Sequence, residues 1–149
     1  MCLAVQGNSN VRQDSTNVIV WDCADSRGKT WELDRRLSSD RHFFHIKYTG
    51  PTQESFDLCV AGQTPGGARD FGSGSQFYLW RCLEDDPTQQ FRWTGSRHAG
   101  DRHTDGGRAM SWRQNPKYCL DAMDFRNGEP AQAWECSKKY LEHQIWRTL

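Results

Sequence analysis

Four short runs of β-branched and aromatic residues punctuate an otherwise polar chain: NVIVWDC (17–23), HFFHIKY (42–48), SQFYLWRC (75–82) and AQAWEC (131–136). Polar residues or glycine introduce them, and Gly and Pro are frequent between them, the punctuation of strands bounded by turns. No window of helix length keeps a helical period with caps. Many short strands of this kind predict an all-β fold with a barrel-like closure that hides its own sheet edges.

The runs belong to a larger repeat. Cysteines stand at positions 2, 23, 59, 82, 119 and 136, so the steps between them are alternately short and long. That alternation reads as three local pairs, Cys2–Cys23, Cys59–Cys82 and Cys119–Cys136, although six cysteines allow fifteen connectivities. An apolar residue follows the first cysteine of each pair (Leu3, Val60, Leu120), and Trp stands two before the second (Trp21, Trp80, Trp134). A third aromatic comes later (Trp31, Phe91, Trp146), preceded twice by Gln-x, at Gln89 and Gln144. The chain is therefore a threefold repeat, with units at about 1–40, 41–100 and 101–149 of a single domain. Each closed loop stabilises the fold by about 3 kcal/mol in the chain-entropy model, and disulfides imply an oxidising compartment. No CxxC is present, which argues against zinc; six buried thiols in a cytosolic protein is the other reading.

Composition narrows the function classes. In 149 residues, 19 basic and 19 acidic side chains cancel, so no nucleic-acid partner is expected. No apolar run approaches the length that crosses a bilayer as a helix, so no membrane span is expected. Seven Trp, seven Phe and four Tyr are far more than a chain without a core would carry. No serine-nucleophile elbow, phosphate loop or metal cluster appears, so neither an enzyme nor a cofactor is expected. Asp85 and Asp86, in a Pro-containing loop, read as turn chemistry rather than a glycosidase pair. His42, His45, His98, His103 and His143 match no metal spacing and are expected at the surface or in loops, and the Arg clusters (Arg35, Arg36, Arg41; Arg97, Arg102, Arg108, Arg113) in solvent.

Cys-Leu-Asp at 119–121, Gln-x-Trp-x-Cys at 132–136 and Gln-x-Trp at 144–146 resemble the repeat of the ricin B-type (R-type) lectins. The resemblance covers nearly the whole chain and is strongest over 118–149. It implies a β-trefoil. It also implies a sugar site in the third repeat: Asp121 accepts bonds from two adjacent hydroxyls, Trp134 stacks on the ring face, Gln132 adds a contact, His143 bonds a further hydroxyl and Gln144 holds Asp121. His143 departs from the family's Asn, but an imidazole still donates or accepts one bond. Trp146 is expected in the core. The other repeats keep the platforms Trp21 and Trp80 as secondary candidates. They lack the carboxylate, with Ala4 and Ala61 in its place, and they carry Ile19 and Tyr78 for the first Gln. Gly28-Lys29 and Thr88-Gln89 stand for the Asn-Gln pair. Gln6 and Gln63, where the third repeat has Met123, offer a different polar edge.

The implied function is a lectin for galactose or N-acetylgalactosamine, secreted, with glycans as partners. The alternatives are an accessory carbohydrate-binding module of a secreted glycoside hydrolase or toxin, and a protein-binding β-trefoil such as a protease inhibitor. With one complete site, agglutination would require a homodimer or attachment to a larger chain. The start MCLAVQGNSN shows no signal peptide, which leaves a cytoplasmic place open. Linker arithmetic weakens that point. The linker from Trp31 to Cys59 and the linker from Phe91 to Cys119 are equal in length, whereas almost nothing follows Trp146 or precedes Cys2. A regular threefold chain is thus expected to need most of one further linker, holding the first strand of the first repeat, which upstream residues, a longer parent protein or a strand from elsewhere would supply.

Overall fold

The computed structural model describes residues 1–7, 11–13, 16–24, 30–62, 72–94, 107–136 and 142–146. His98, His103, Gln63, Gly28, Lys29, Arg97 and Arg102 lie outside them. Ten strands follow one another: β1 (Cys2–Val5), β2 (Val18–Trp21), β3 (Trp31–Asp34), β4 (Phe44–Tyr48), β5 (Leu58–Ala61), β6 (Tyr78–Arg81), β7 (Gln90–Thr94), β8 (Ala109–Trp112), β9 (Tyr118–Asp121) and β10 (Gln132–Glu135). Only two 3-10 turns, Pro87–Gln89 and Glu142–Gln144, interrupt the β pattern among the described residues. No helix is long and apolar enough to cross a membrane.

Three antiparallel hairpins, β1–β2, β5–β6 and β9–β10, carry the three cysteine pairs. The bridges are Cys2–Cys23, Cys59–Cys82 and Cys119–Cys136. In each, the first cysteine lies directly opposite the Trp: Cys2 faces Trp21, Cys59 faces Trp80 and Cys119 faces Trp134. The other strands form the wall. β4 pairs with β3, β5 and β7, and β7 pairs with β8. Arg108, just before β8, bridges to Trp146. The third aromatic of each unit thus belongs to this wall rather than to a hairpin.

The three hairpins meet around one axis, where a ring of backbone bonds closes: Val18 N donates to Phe77 O (3.1 Å), Phe77 N to Ala131 O (2.8 Å) and Ala131 N to Val18 O (2.9 Å). These residues hold equivalent places in the three repeats, and all are fully buried. The repeat in sequence has become a rotation in space, the β-trefoil arrangement. Trp31 Nε1 donates to Leu3 O and Trp146 Nε1 to Leu120 O, both at 2.9 Å, again at equivalent places. Trp146 is half-buried and packs against the core. Under the ring lies an aromatic core in which Phe77 meets Phe91 at 5.5 Å and Trp112 at 6.1 Å, both edge to face. Edge-to-face pairs of this kind add about 0.5–1.5 kcal/mol beyond their buried area.

His45 corrects the expectation of a surface or loop histidine, since it is fully buried. Alternation on β4 sends Phe44, Ile46 and Tyr48 to the core and His45 to the other face. There Gln90 of β7 and the loop at Leu83 cover it. Its Nε2–H donates to Leu83 O at 3.0 Å, and Nδ1 has no partner among the described residues. Burial holds this imidazole below its ordinary pKa, against the smaller pulls of the Leu83 bond, Asp34, Asp86 and Asp85. The folded protein therefore favours neutral His45, while the unfolded chain takes a proton near pH 6.5. Stability is full above that pH and is lost as pH falls through the lowered folded value. The midpoint of thermal unfolding is expected to fall between pH 7 and pH 5 in the parent and to fall less in His45→Gln, whose amide can still donate to Leu83 O. Parallel pH profiles of the two proteins would exclude His45 as the cause.

The Arg clusters divide. Arg35, Arg36 and Arg41 are exposed as expected, with Arg36 clamped between Asp34 (2.8 Å) and Glu32 (3.1 Å). That clamp draws the Asp34 carboxyl below its usual value. Arg113 departs from the expectation: it is half-buried, bonded to Gln90 Oε1, and its guanidinium lies 4.4 Å from the centre of the Phe43 ring.

Candidate sugar-binding site

The third hairpin positions every residue of the candidate site. On β9 and β10, Asp121 lies opposite Gln132 and Cys119 opposite Trp134. Strand alternation therefore puts Asp121, Gln132 and Trp134 on one side. The 3-10 turn Glu142–Gln144 returns the chain to the same place, where His143 O accepts Ala122 N at 2.9 Å. All five predicted residues come together.

Asp121 is 3% exposed, and its carboxylate is held by the protein. Oδ1 accepts Met123 N at 2.7 Å and Gln132 Nε2 at 3.1 Å, and Oδ2 accepts Gln144 Nε2 at 3.0 Å. A carboxylate offers about four lone-pair directions. Among the described residues these donors leave one open, on Oδ2. A second ligand hydroxyl at this carboxylate requires Gln132 to turn from Oδ1 toward the ligand. Gln144, 2% exposed, also donates to Glu135 O at 2.9 Å, which ties the turn to the hairpin and fixes the carboxylate.

Trp134 is the candidate platform. It is 43% exposed, whereas Trp21 and Trp80 are half-buried. Its edge rests beside Gly74 of the neighbouring repeat, whose φ is +87° and whose N–H donates to Ala133 O. Trp21 stands in the same relation to Gly128, at φ +90°. The contact thus recurs in two of the repeats, and each glycine supplies a left-handed turn that other residues enter at a cost.

The other repeats keep the scaffold without the carboxylate. Gln89 ties its turn to the second hairpin as Gln144 does to the third. Its Nε2 donates to Arg81 O at 2.7 Å, and its Oε1 accepts Leu83 N at 2.8 Å. With Ala61 in place of the acid, there is no carboxylate for it to orient. Ala4 and Ile19 pair on the first hairpin, apolar against apolar. Gln6 is already engaged, its Oε1 accepting Asn17 Nδ2 at 2.7 Å.

Sequence reasoning set Met123 only against Gln6 and Gln63, and it passed over Phe125. Met123 and Phe125 lie in the β9–β10 turn and are exposed, and the Phe125 ring stacks on His143 with centres 5.9 Å apart. Their signal was available: two large apolar residues, in a turn otherwise of Asp, Arg, Asn and Gly, beside the one retained acid.

No protein-family model matches the sequence, and no curated protein matches it. The chain is similar to the crystal structure of a designed 3-fold symmetric protein, ThreeFoil, with a TM-score of 0.61 over 90% of this chain and 81% of that one, at 16% sequence identity. At that identity the likeness speaks for the fold alone, and the fold is an all-β, threefold β-trefoil.

Proposed function

We propose that this β-trefoil is a lectin domain that binds galactose or N-acetylgalactosamine-type sugars through its third repeat. One observation carries the reading: a solvent-facing indole, Trp134, beside a carboxylate, Asp121, that three protein donors hold in place. A pyranose has a face of C–H groups and an edge of hydroxyls. The indole suits the face, and the fixed carboxylate suits the edge. The choice of sugar rests on the resemblance to the ricin B-type lectins. Nothing in this arrangement calls for a bond to be broken, so the proposed role is binding rather than catalysis, with no cofactor. The three disulfides support an extracellular place.

The site is open, it is the one carboxylate-bearing site of this kind among the described residues, and most of a bound monosaccharide stays in water. The expected dissociation constant is therefore about 0.1–1 mM. Trp134→Ala is expected to weaken binding at least tenfold, about 1.4 kcal/mol, with little effect on stability because the ring is exposed. Calorimetry with galactose and N-acetylgalactosamine on parent and variant checks this. Undiminished affinity in Trp134→Ala would remove the indole from the site.

A further inference from the structure

Four large apolar side chains are exposed among the described residues: Met1, Met123 (53%), Phe125 (47%) and Trp134 (43%). Three of the four belong to the hairpin that carries Asp121. Their order along it is informative. Trp134 lies two residues along β10 from Gln132, to one side of the Asp121–Gln132 pair. Met123 and Phe125 lie in the turn, to the other side. The Met123 N–H donates to Asp121 Oδ1, so its backbone is tied to the carboxylate. Phe125 stacks on His143 at an interplanar angle of 26°, which joins the turn to the Glu142–Gln144 segment. Arg126 of the same turn is bound by Asp124 (2.8 Å) and Glu129 (3.3 Å). Clustered apolar groups in water mark a place where something apolar docks.

We infer that Met123 and Phe125 form a subsite for the methyl group of a 2-acetamido sugar, so that the third repeat selects N-acetylgalactosamine over galactose. The inference rests on the sugar-binding reading above. A ring stacked on Trp134 presents two neighbouring hydroxyls to the Asp121 edge. On this reading the substituent on the next carbon lies on the turn side of the carboxylate, beside Met123 and Phe125. A hydroxyl there gains little from a phenyl ring and a thioether, which offer at best a weak acceptor. An acetamido methyl leaves water against both. The two sugars differ at that carbon alone.

Calorimetry with galactose and with N-acetylgalactosamine, on the parent, Phe125→Ala, Phe125→Leu and Met123→Ser, tests this. The parent is expected to prefer N-acetylgalactosamine about fivefold, the return on burying roughly one methyl group. Phe125→Ala is expected to bring the ratio of the two constants to about one, whatever its effect on galactose itself. Met123→Ser should lower the ratio in part, and Phe125→Leu should keep most of it. Equal affinity for the two sugars in the parent, or a ratio unchanged in Phe125→Ala, overturns the subsite and leaves the lectin reading standing. Binding of neither sugar by the folded parent overturns that reading, and the subsite with it.

Discussion

Asp121→Ala is expected to reduce sugar binding below calorimetric detection while leaving a folded protein. The reason lies in how the carboxylate is held. It accepts Met123 N, Gln132 Nε2 and Gln144 Nε2, and removing it leaves donors without an acceptor at a position that is only 3% exposed. Gln144 keeps its bond to Glu135 O, but Met123 N and Gln132 Nε2 lose theirs to the carboxylate. Orphaned buried donors cost about 1–3 kcal/mol, so a lower unfolding midpoint should accompany the loss of binding. Asp121→Asn separates the two effects. It keeps the volume and one carbonyl oxygen, yet its new N–H₂ must face either Gln144 Nε2 or the pair formed by Met123 N and Gln132 Nε2. Turning the Gln144 amide to accept would set its oxygen against Glu135 O. Asn is therefore expected to lose binding as well, with a smaller loss of stability than Ala. Parent-like affinity in a folded Asp121→Ala protein would place the site elsewhere, first at Trp21 or Trp80.

Much of this site was legible in the sequence because a hairpin converts spacing into position. Asp two after one cysteine and Trp two before the other are placed together as soon as the cysteines pair across β9 and β10. The threefold order was legible for a similar reason: the same Trp-x-Cys recurs three times, and the three hairpins close on one another through the Val18–Phe77–Ala131 ring. What the sequence hid was burial by distant segments. His45 alternates outward on β4 like a surface residue, and only the arrival of Gln90 and the Leu83 loop buries it. Arg113 was hidden likewise, since its partners Gln90 and Phe43 come from other strands and loops. The Phe125–His143 stack was hidden because a turn and a 3-10 segment far apart along the chain have no common period to reveal their meeting.

The largest effect on stability is expected at Trp112. The residue is 1% exposed, on β8 opposite Phe91 of β7, with its ring edge to face against Phe77. Gly62 shows how closely the site is filled: a Cβ there would stand 2.5 Å from the Trp112 ring and 3.0 Å from Phe77. The indole N–H donates to Thr88 O at 2.8 Å, but that carbonyl also accepts Gly62 N at 2.9 Å. Removing the indole therefore leaves no orphaned acceptor, and the loss is one of packing. Large-to-small changes of this kind cost about 3–5 kcal/mol, because the surrounding wall cannot collapse into the space. Trp112→Ala is expected to lower Tm by about 10 °C in a domain of this size. Trp112→Phe keeps a ring against Phe77 and is expected to recover more than half of that loss. Because Trp112 belongs to the wall and not to the β9–β10 hairpin, sugar affinity per folded molecule should be unchanged in both variants. Urea unfolding with the disulfides intact, followed by calorimetry well below the unfolding midpoint, reads the two quantities separately. A cost below about 1 kcal/mol for Trp112→Ala, the scale of an ordinary surface change, would mean that the barrel core closes over the gap, against the tight fit that Gly62 implies.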